Sequence, residues 1–140
     1  MRHLLSVAYS CLNVPYVYGG NNPLTGLDCS GLMLWILKST GHILPDMTAQ
    51  GIFDHFHDKG RWSSYTCGSL CFFGQATNKI THVGMFIDQY RFIEAGGGDS
   101  ACTTKEIAAI KGACVRISHI KLRKDLVAIV KPDYSLIGVV

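Results

Sequence analysis

The stretch PYVYGGNNPLTGLDCSGLMLWIL, residues 15–37, runs from a glycine-rich, turn-forming segment straight into a nearly unbroken apolar run. Pro15, Gly19, Gly20, Pro23 and Gly26 punctuate the first half and mark it as turn or loop. Residues Leu32 to Leu37 are apolar on all sides, which predicts a buried central helix over about Cys29–Ser39. Asp28 is placed to cap its start and Gly41 to end it. At the junction sits a thiol, Cys29, preceded by Asp28 and followed by Ser30. The question is why a chain puts a cysteine there.

Upstream, MRHLLSVAYSCLN begins with a basic residue and a short apolar stretch. Ser6, Tyr9 and Ser10 interrupt that stretch, and no small-x-small cleavage site follows. Leu4, Leu5, Ala8, Cys11 and Leu12 fall on one helical face, so a helix is expected rather than a signal peptide. Downstream, DMTAQGIFDHFHDKG reads as a third helix, capped by Thr48 or Asp46 and stopped by Gly60. The pattern then changes to SLCFFG, THVGMFID, YRFIEAG, ACVRISHI and DLVAIVKP, short β-rich runs, with a short helix expected around Thr104–Ile110. Helices first and strands afterwards predict an α+β fold in which an antiparallel sheet packs on the buried central helix.

The 140 residues fit one domain over 1–140, and a 48% hydrophobic, 16% charged composition fits a packed globule rather than a disordered chain. The net charge of +3 is too small and too scattered to imply nucleic-acid binding, and no apolar run reaches the length of a membrane span. With no clear export signal, the expectation is synthesis in the cytoplasm, with reduced thiols at Cys11, Cys29, Cys67, Cys71, Cys102 and Cys114. Cys67 and Cys71 lack a partner pair at metal-ligand spacing apart from His55 and His57. Neither a metal nor another cofactor is expected.

At a capped helix start, Cys29 would meet free N–H groups and the positive end of the helix dipole, both of which favour a thiolate and can hold an oxyanion. Locally, a small buried residue is the simpler reading of Cys29. His82 changes the balance. It opens the strand HVGMFI, where alternation puts His82, Gly84 and Phe86 on one face and Val83, Met85 and Ile87 on the other. Gly84 is expected to leave open space beside the imidazole. A histidine at a strand start facing a helix N-terminus suits Cys–His catalysis.

Taken in order, PYVYGG, GLDCSGLMLWILKSTG, LPDMTAQG, GSLCFFG, THVGMFI and RFIEAG resemble the NlpC/P60 family of cell-wall cysteine peptidases. The resemblance implies a papain-like fold and hydrolysis of amide bonds in peptidoglycan stem peptides, typically after D-glutamate. It gives Cys29 the nucleophile's place and His82 the base's. Tyr16 takes that of a tyrosine whose hydroxyl assists the oxyanion. Asp28 and Ser30 stand where some relatives contact the substrate's free amine, although a helix cap explains Asp28 equally well. Two positions depart from the family: Glu94 stands where it usually has His, and Gly68-Ser69-Leu70 where it has GDL. EAGGGDS and the absence of appended wall-binding repeats resemble stand-alone phage or prophage versions. The implied partner is a stem peptide or muropeptide, met at the cell wall after release or delivery.

Two rival readings keep the fold. One is a thiol-dependent acyltransferase or amidase on a non-wall substrate. The other is an idle structural module of a phage tail or secretion assembly, docking through the apolar C-terminus SLIGVV. For Glu94, an odd hairpin loop centred on Asp88 is expected to set residues 82 and 94 directly opposite each other, with Glu94 hydrogen-bonded to the imidazole.

Overall fold

The computed structural model describes residues 1–59, 61–62 and 65–135. Its elements are α1 (Arg2–Ser10), β1 (Asn21–Asn22), β2 (Gly26–Leu27), α2 (Cys29–Ser39), α3 (Ala49–Phe56), β3 (Arg61–Trp62), β4 (Leu70–Gly74), β5 (Ile80–Phe86), β6 (Arg91–Gly96), α4 (Lys105–Lys111), β7 (Cys114–His119), the 3-10 turn η1 (Ile120–Leu122) and β8 (Leu126–Lys131). The fold is α+β, as the order of helical and β-rich segments requires. The main sheet runs β3-β8-β4-β5-β6-β7 with every pairing antiparallel.

Strand alternation divides the sheet into two apolar faces. One carries Leu70, Phe72, Val83, Met85, Ile93 and Val130, in one core with Leu32, Met33, Ile36 and Leu37 of α2 and Ile52, Phe53 and Phe56 of α3. Phe53 meets Phe72 edge-on at 5.3 Å between centroids. Side chains of this size each contribute roughly 1.5–3 kcal/mol on full burial, which is why a short α2 can hold the sheet. The other face is a smaller cluster of Cys71, Phe73, Phe86 and Phe92, with Ile120 and the β8 residues Leu126 and Ile129 packed against it. Helix α2 is not buried on every side: Leu34 and Trp35 are only half-buried.

The expected caps hold their helices. Thr48 Oγ1 accepts from the N–H of Gly51 at 3.1 Å, so Thr48 rather than Asp46 caps α3. That helix closes at Phe56, before Gly60, which lies outside the described residues. At the end of α2, Gly41 takes φ +91 while the N–H of His42 returns to the Leu37 carbonyl. The 136–140 part of the apolar C-terminus also lies outside the described residues.

The β5–β6 hairpin pairs Met85 with Ile93 and Phe86 with Phe92, so it centres on Gln89, one residue later than expected. Asp88 is the reason: its Oδ1 accepts from the N–H groups of Tyr90 and Arg91, both at 2.8 Å, which makes it the first residue of the turn rather than its middle. The loop is still odd, so residues 82 and 94 share a face, but diagonally instead of directly opposite. Nor does Gly84 leave open space. A Cβ there would lie 2.8 Å from the Phe92 ring and 3.3 Å from Cys71 Sγ.

The loop before α2 is tied to both neighbours. Asn13, Val14 and Tyr16 hydrogen-bond along Ala113–Val115 and so cover the free edge of β7. Gly31 in the first turn of α2 lies so close to the loop that a Cβ would fall 1.9 Å from the Gly20 carbonyl oxygen. Gly31→Ala should therefore destabilise the protein by about 1–3 kcal/mol in urea unfolding, although alanine is intrinsically the better helix former. Equal or greater stability would show that the loop yields freely.

Candidate active site

Residues on both sides of its chain position organise the start of α2. Asp28 Oδ1 accepts from the Gly31 N–H at 2.7 Å and from Ser30 Oγ at 3.1 Å, while Oδ2 accepts from the Gly19 N–H at 2.9 Å. The Asp28 N–H donates to the Gly20 carbonyl at 3.1 Å. One carboxylate thus caps the helix and holds the glycine loop against it. Cys29, the first helical residue, is half-buried at that end.

From the sheet, His82 lies beside Cys29, which acts on the ring electrostatically, and hydrogen-bonds to Glu94. The Glu94 contact is Nε2 to Oε1 at 2.6 Å. Burial disfavours the imidazolium, but the neighbouring Cys29 and the hydrogen bond and charge of Glu94 outweigh it and push His82 up to about 9. Glu94 is 2% exposed. Burial alone would raise its carboxyl. The hydrogen bonds from His82 and Ser118, with the charges of His82 and Arg116, instead bring it down to about 2. It is an ionised carboxylate inside the protein, not a solvated strand residue.

Tyr16 reaches the same place from the loop. It is 7% exposed, bridges to Leu27, and accepts the Cys102 thiol on its carbonyl at 3.3 Å. Its ring packs against Gly98, where a Cβ would come within 2.2 Å of it. Burial, then the charges of Cys29 and Asp28, hold its phenol protonated well above the usual range, so the hydroxyl is a donor. A cleft of about 460 Å³ opens over Cys29, lined by Tyr16, Tyr18, Asp28, Ser30, Thr48 and Thr81 among others.

All six residues expected from sequence therefore converge: Tyr16, Asp28, Cys29 and Ser30 line the cleft, and His82 and Glu94 stand in file behind the thiol. Sequence reasoning missed Gly19 and the groups behind Glu94, which are Ser118, Arg116 at 3.3 Å from Oε2, and Arg123 at 3.9 Å from Oε1. Alternation in VRISH does put Arg116 and Ser118 on one face, but only the strand order sets that face beside Glu94.

The family described as NlpC/P60 matches residues 13–116. Among curated proteins the chain is similar to the bifunctional muramidase/DL-endopeptidase CwlT of Bacillus subtilis, 40% identical over 86 residues, or 58% of this chain and 25% of that protein. It is also similar to the murein DD-endopeptidase MepH of Escherichia coli, 34% identical over 84 residues, or 58% of this chain and 31% of that one. A third relative, the gamma-DL-glutamyl hydrolase of Bacillus subtilis, is 31% identical over 86 residues, or 60% of this chain and 20% of that one. The chain thus spans between a fifth and a third of the length of these relatives. A lipoprotein-like NLP/P60 family structure from Staphylococcus aureus superposes with a TM-score of 0.69, at 25% identity, over 93% of this chain and 40% of that one. The NlpC/p60 domain of the peptidoglycan hydrolase SagA shares the fold, with a TM-score of 0.67 at 22% identity over 93% of this chain and 97% of that one.

The His82–Glu94 contact makes stability depend on pH in a definite direction. His82 binds its proton more tightly folded than unfolded, so its contribution is complete below 6.5 and is lost as pH rises toward about 9. Glu94 releases its proton more readily when folded, so its contribution is complete above 4.5 and is lost as pH falls toward about 2. The pair contributes to both limbs, with Cys29 adding to the basic one and Ser118 and Arg116 to the acidic one, and each limb is worth on the order of 1–3 kcal/mol. Subtracting the unfolding free energy of Glu94→Gln from that of the parent should give a curve highest between 4.5 and 6.5 and falling on both sides. A difference that does not vary with pH would contradict the ionised pair.

Proposed function

This chain belongs to the NlpC/P60 family, and from that premise we propose that it is a cysteine endopeptidase hydrolysing amide bonds in peptidoglycan stem peptides, on the carboxyl side of D-glutamate. The observation that carries the reading is the file of groups at the cleft: a thiol at a capped helix start, beside an imidazole that a buried carboxylate holds by a hydrogen bond.

In this reading Cys29 is the nucleophile, His82 the acid and base, and Glu94 the group that orients the ring. The Cys29 thiolate attacks the amide carbonyl, and the C–N bond breaks as imidazolium His82 gives its proton to the leaving amine. A thioester remains on Cys29. His82, now neutral, takes a proton from water, and the resulting hydroxide releases the acid and the thiol. The Gly31 N–H is committed to Asp28, so the oxyanion falls to the Cys29 N–H and the Tyr16 hydroxyl. Asp28 keeps the cap and Ser30 faces the substrate beside it. The substrate would be met at the cell wall.

Support for the bond comes from two relatives named for DL bonds, one of them for a glutamyl bond. Another relative is named a DD-endopeptidase. Digestion of purified muropeptides, read by mass spectrometry, decides between them. The expected products are fragments ending in D-glutamate with a new amine on the other piece and no new reducing sugar ends. Cys29→Ala should lower kcat/KM by more than about 10⁴-fold. Cleavage at a D,D bond would overturn the assigned bond. Reducing ends without new amines, or an active Cys29→Ala, would overturn the reaction.

A further inference from the structure

Glu94 is held by more than the imidazole it faces. Oε2 accepts from Ser118 Oγ and from Arg116 Nε. Oε1, the oxygen on His82, also has Arg123 Nη1 at 3.9 Å. The Arg123 guanidinium lies 4.3 Å from the centroid of the Phe73 ring, and that ring is 5.6 Å from the His82 ring. Its outer edge is clipped by Asp125 in a two-point pair, Nε to Oδ1 at 2.8 Å and Nη2 to Oδ2 at 2.7 Å. A carboxylate, an aromatic face and the edge of Glu94 fix this side chain, whose exposure is only 30%.

We propose that Arg123 is a positioning residue for the His82–Glu94 pair, with Asp125 as its counterweight. The guanidinium keeps Oε1 aimed at Nε2 and offsets part of the carboxylate's charge, and Asp125 sets how much of that offset reaches the ring. This rests on the reading of His82 as the acid and base. His82 and Glu94, expected from the sequence to face each other across one hairpin, are then part of a larger charged unit drawn from β5, β6, β7 and the segment joining η1 to β8.

The charged and titratable groups facing the pair are Cys29 from α2, Cys71 from β4, Arg116 from β7, and Arg123 and Asp125 from the η1–β8 segment. Cys71 stays a neutral thiol, because burial and then the charge of Glu94 push it up. The sign of each charged group is therefore fixed. A cation beside the ring disfavours the imidazolium and an anion favours it. Removing Arg123 takes away a cation and also frees the charge of Asp125, whose carboxyl senses His82. Both changes favour the imidazolium. Removing the charge of Asp125 alone acts the opposite way.

The test follows the His82 ring by NMR titration of protein labelled in histidine, in a Cys29→Ala background so that the thiol does not contribute. Arg123→Met should strengthen proton binding by about 3- to 10-fold, and Asp125→Asn should weaken it by a similar factor. Arg123→Lys should titrate close to the parent. Coincident midpoints, or shifts of Arg123→Met and Asp125→Asn in the same direction, would overturn the proposal. If Arg123→Met does not fold, Asp125→Asn decides alone, and an unweakened ring overturns it. No turnover is measured, so failure here is separable from failure of the wall-hydrolase reading.

Discussion

A carboxylate removed from water must be matched by charge and hydrogen bonds, or it costs several kcal/mol or gives up its ionisation. Glu94 is such a group, and much of this protein is arranged around it. His82 and Ser118 donate to it, and Arg116 and Arg123 flank it. Those partners come from three different segments, so strand register is not free to slip: β7 must set Arg116 opposite Glu94, as it does. A one-residue slip would turn Arg116 and Ser118 to the opposite face and leave the carboxylate facing Val115 and Ile117. The aromatic cluster of Phe73, Phe86 and Phe92 sits on the same face and excludes water around the pair, which strengthens every electrostatic contact within it.

The thiol side of the site rests on different physics. Asp28 collects Gly19, Ser30 and Gly31 within a short stretch of chain, and glycine at 31 lets the loop approach the helix. This half is local. The imidazole half is assembled across the sheet. The two meet because α2 and β5 share one core, in which Leu32, Met33 and Ile36 pack with Val83 and Met85. Packing of ordinary apolar residues thereby sets the alignment of thiol and ring, which side-chain hydrogen bonds then refine.

This division explains what could be read in the sequence. The cap of α2, its length, the five main strands and the helix start at Thr104 all announce themselves within a few residues. So did Cys29, because the cap and the apolar run mark its position. His82 was legible from alternation, and its face relative to Glu94 from the parity of the hairpin loop. The register itself was misread by one residue, because the Asp88 side chain starts the turn and its hydrogen bonds have no pattern in hydrophobicity. Gly84 was misread for a related reason: the space beside a glycine is filled by Phe92 and Cys71 from neighbouring strands. Ser118, Arg116, Arg123 and Asp125 were silent because their contacts depend on strand order, with β7 beside β6 and β8 beside β4.

The central claim is that Glu94 acts through His82 to make Cys29 the reactive thiol among six. Cys11, Cys71 and Cys102 are buried, so Cys67 and Cys114, half-buried like Cys29, are the competitors. Burial holds the Cys67 thiol above its ordinary range. The most direct measurement is the rate of iodoacetamide labelling at each cysteine near neutral pH, resolved by peptide mapping, in the parent and in His82→Ala. Cys29 should label first in the parent and lose that lead in His82→Ala, while the rates at Cys67 and Cys114 stay unchanged. Faster labelling at Cys67 or Cys114 in the parent, or a Cys29 rate indifferent to the loss of His82, would contradict the account.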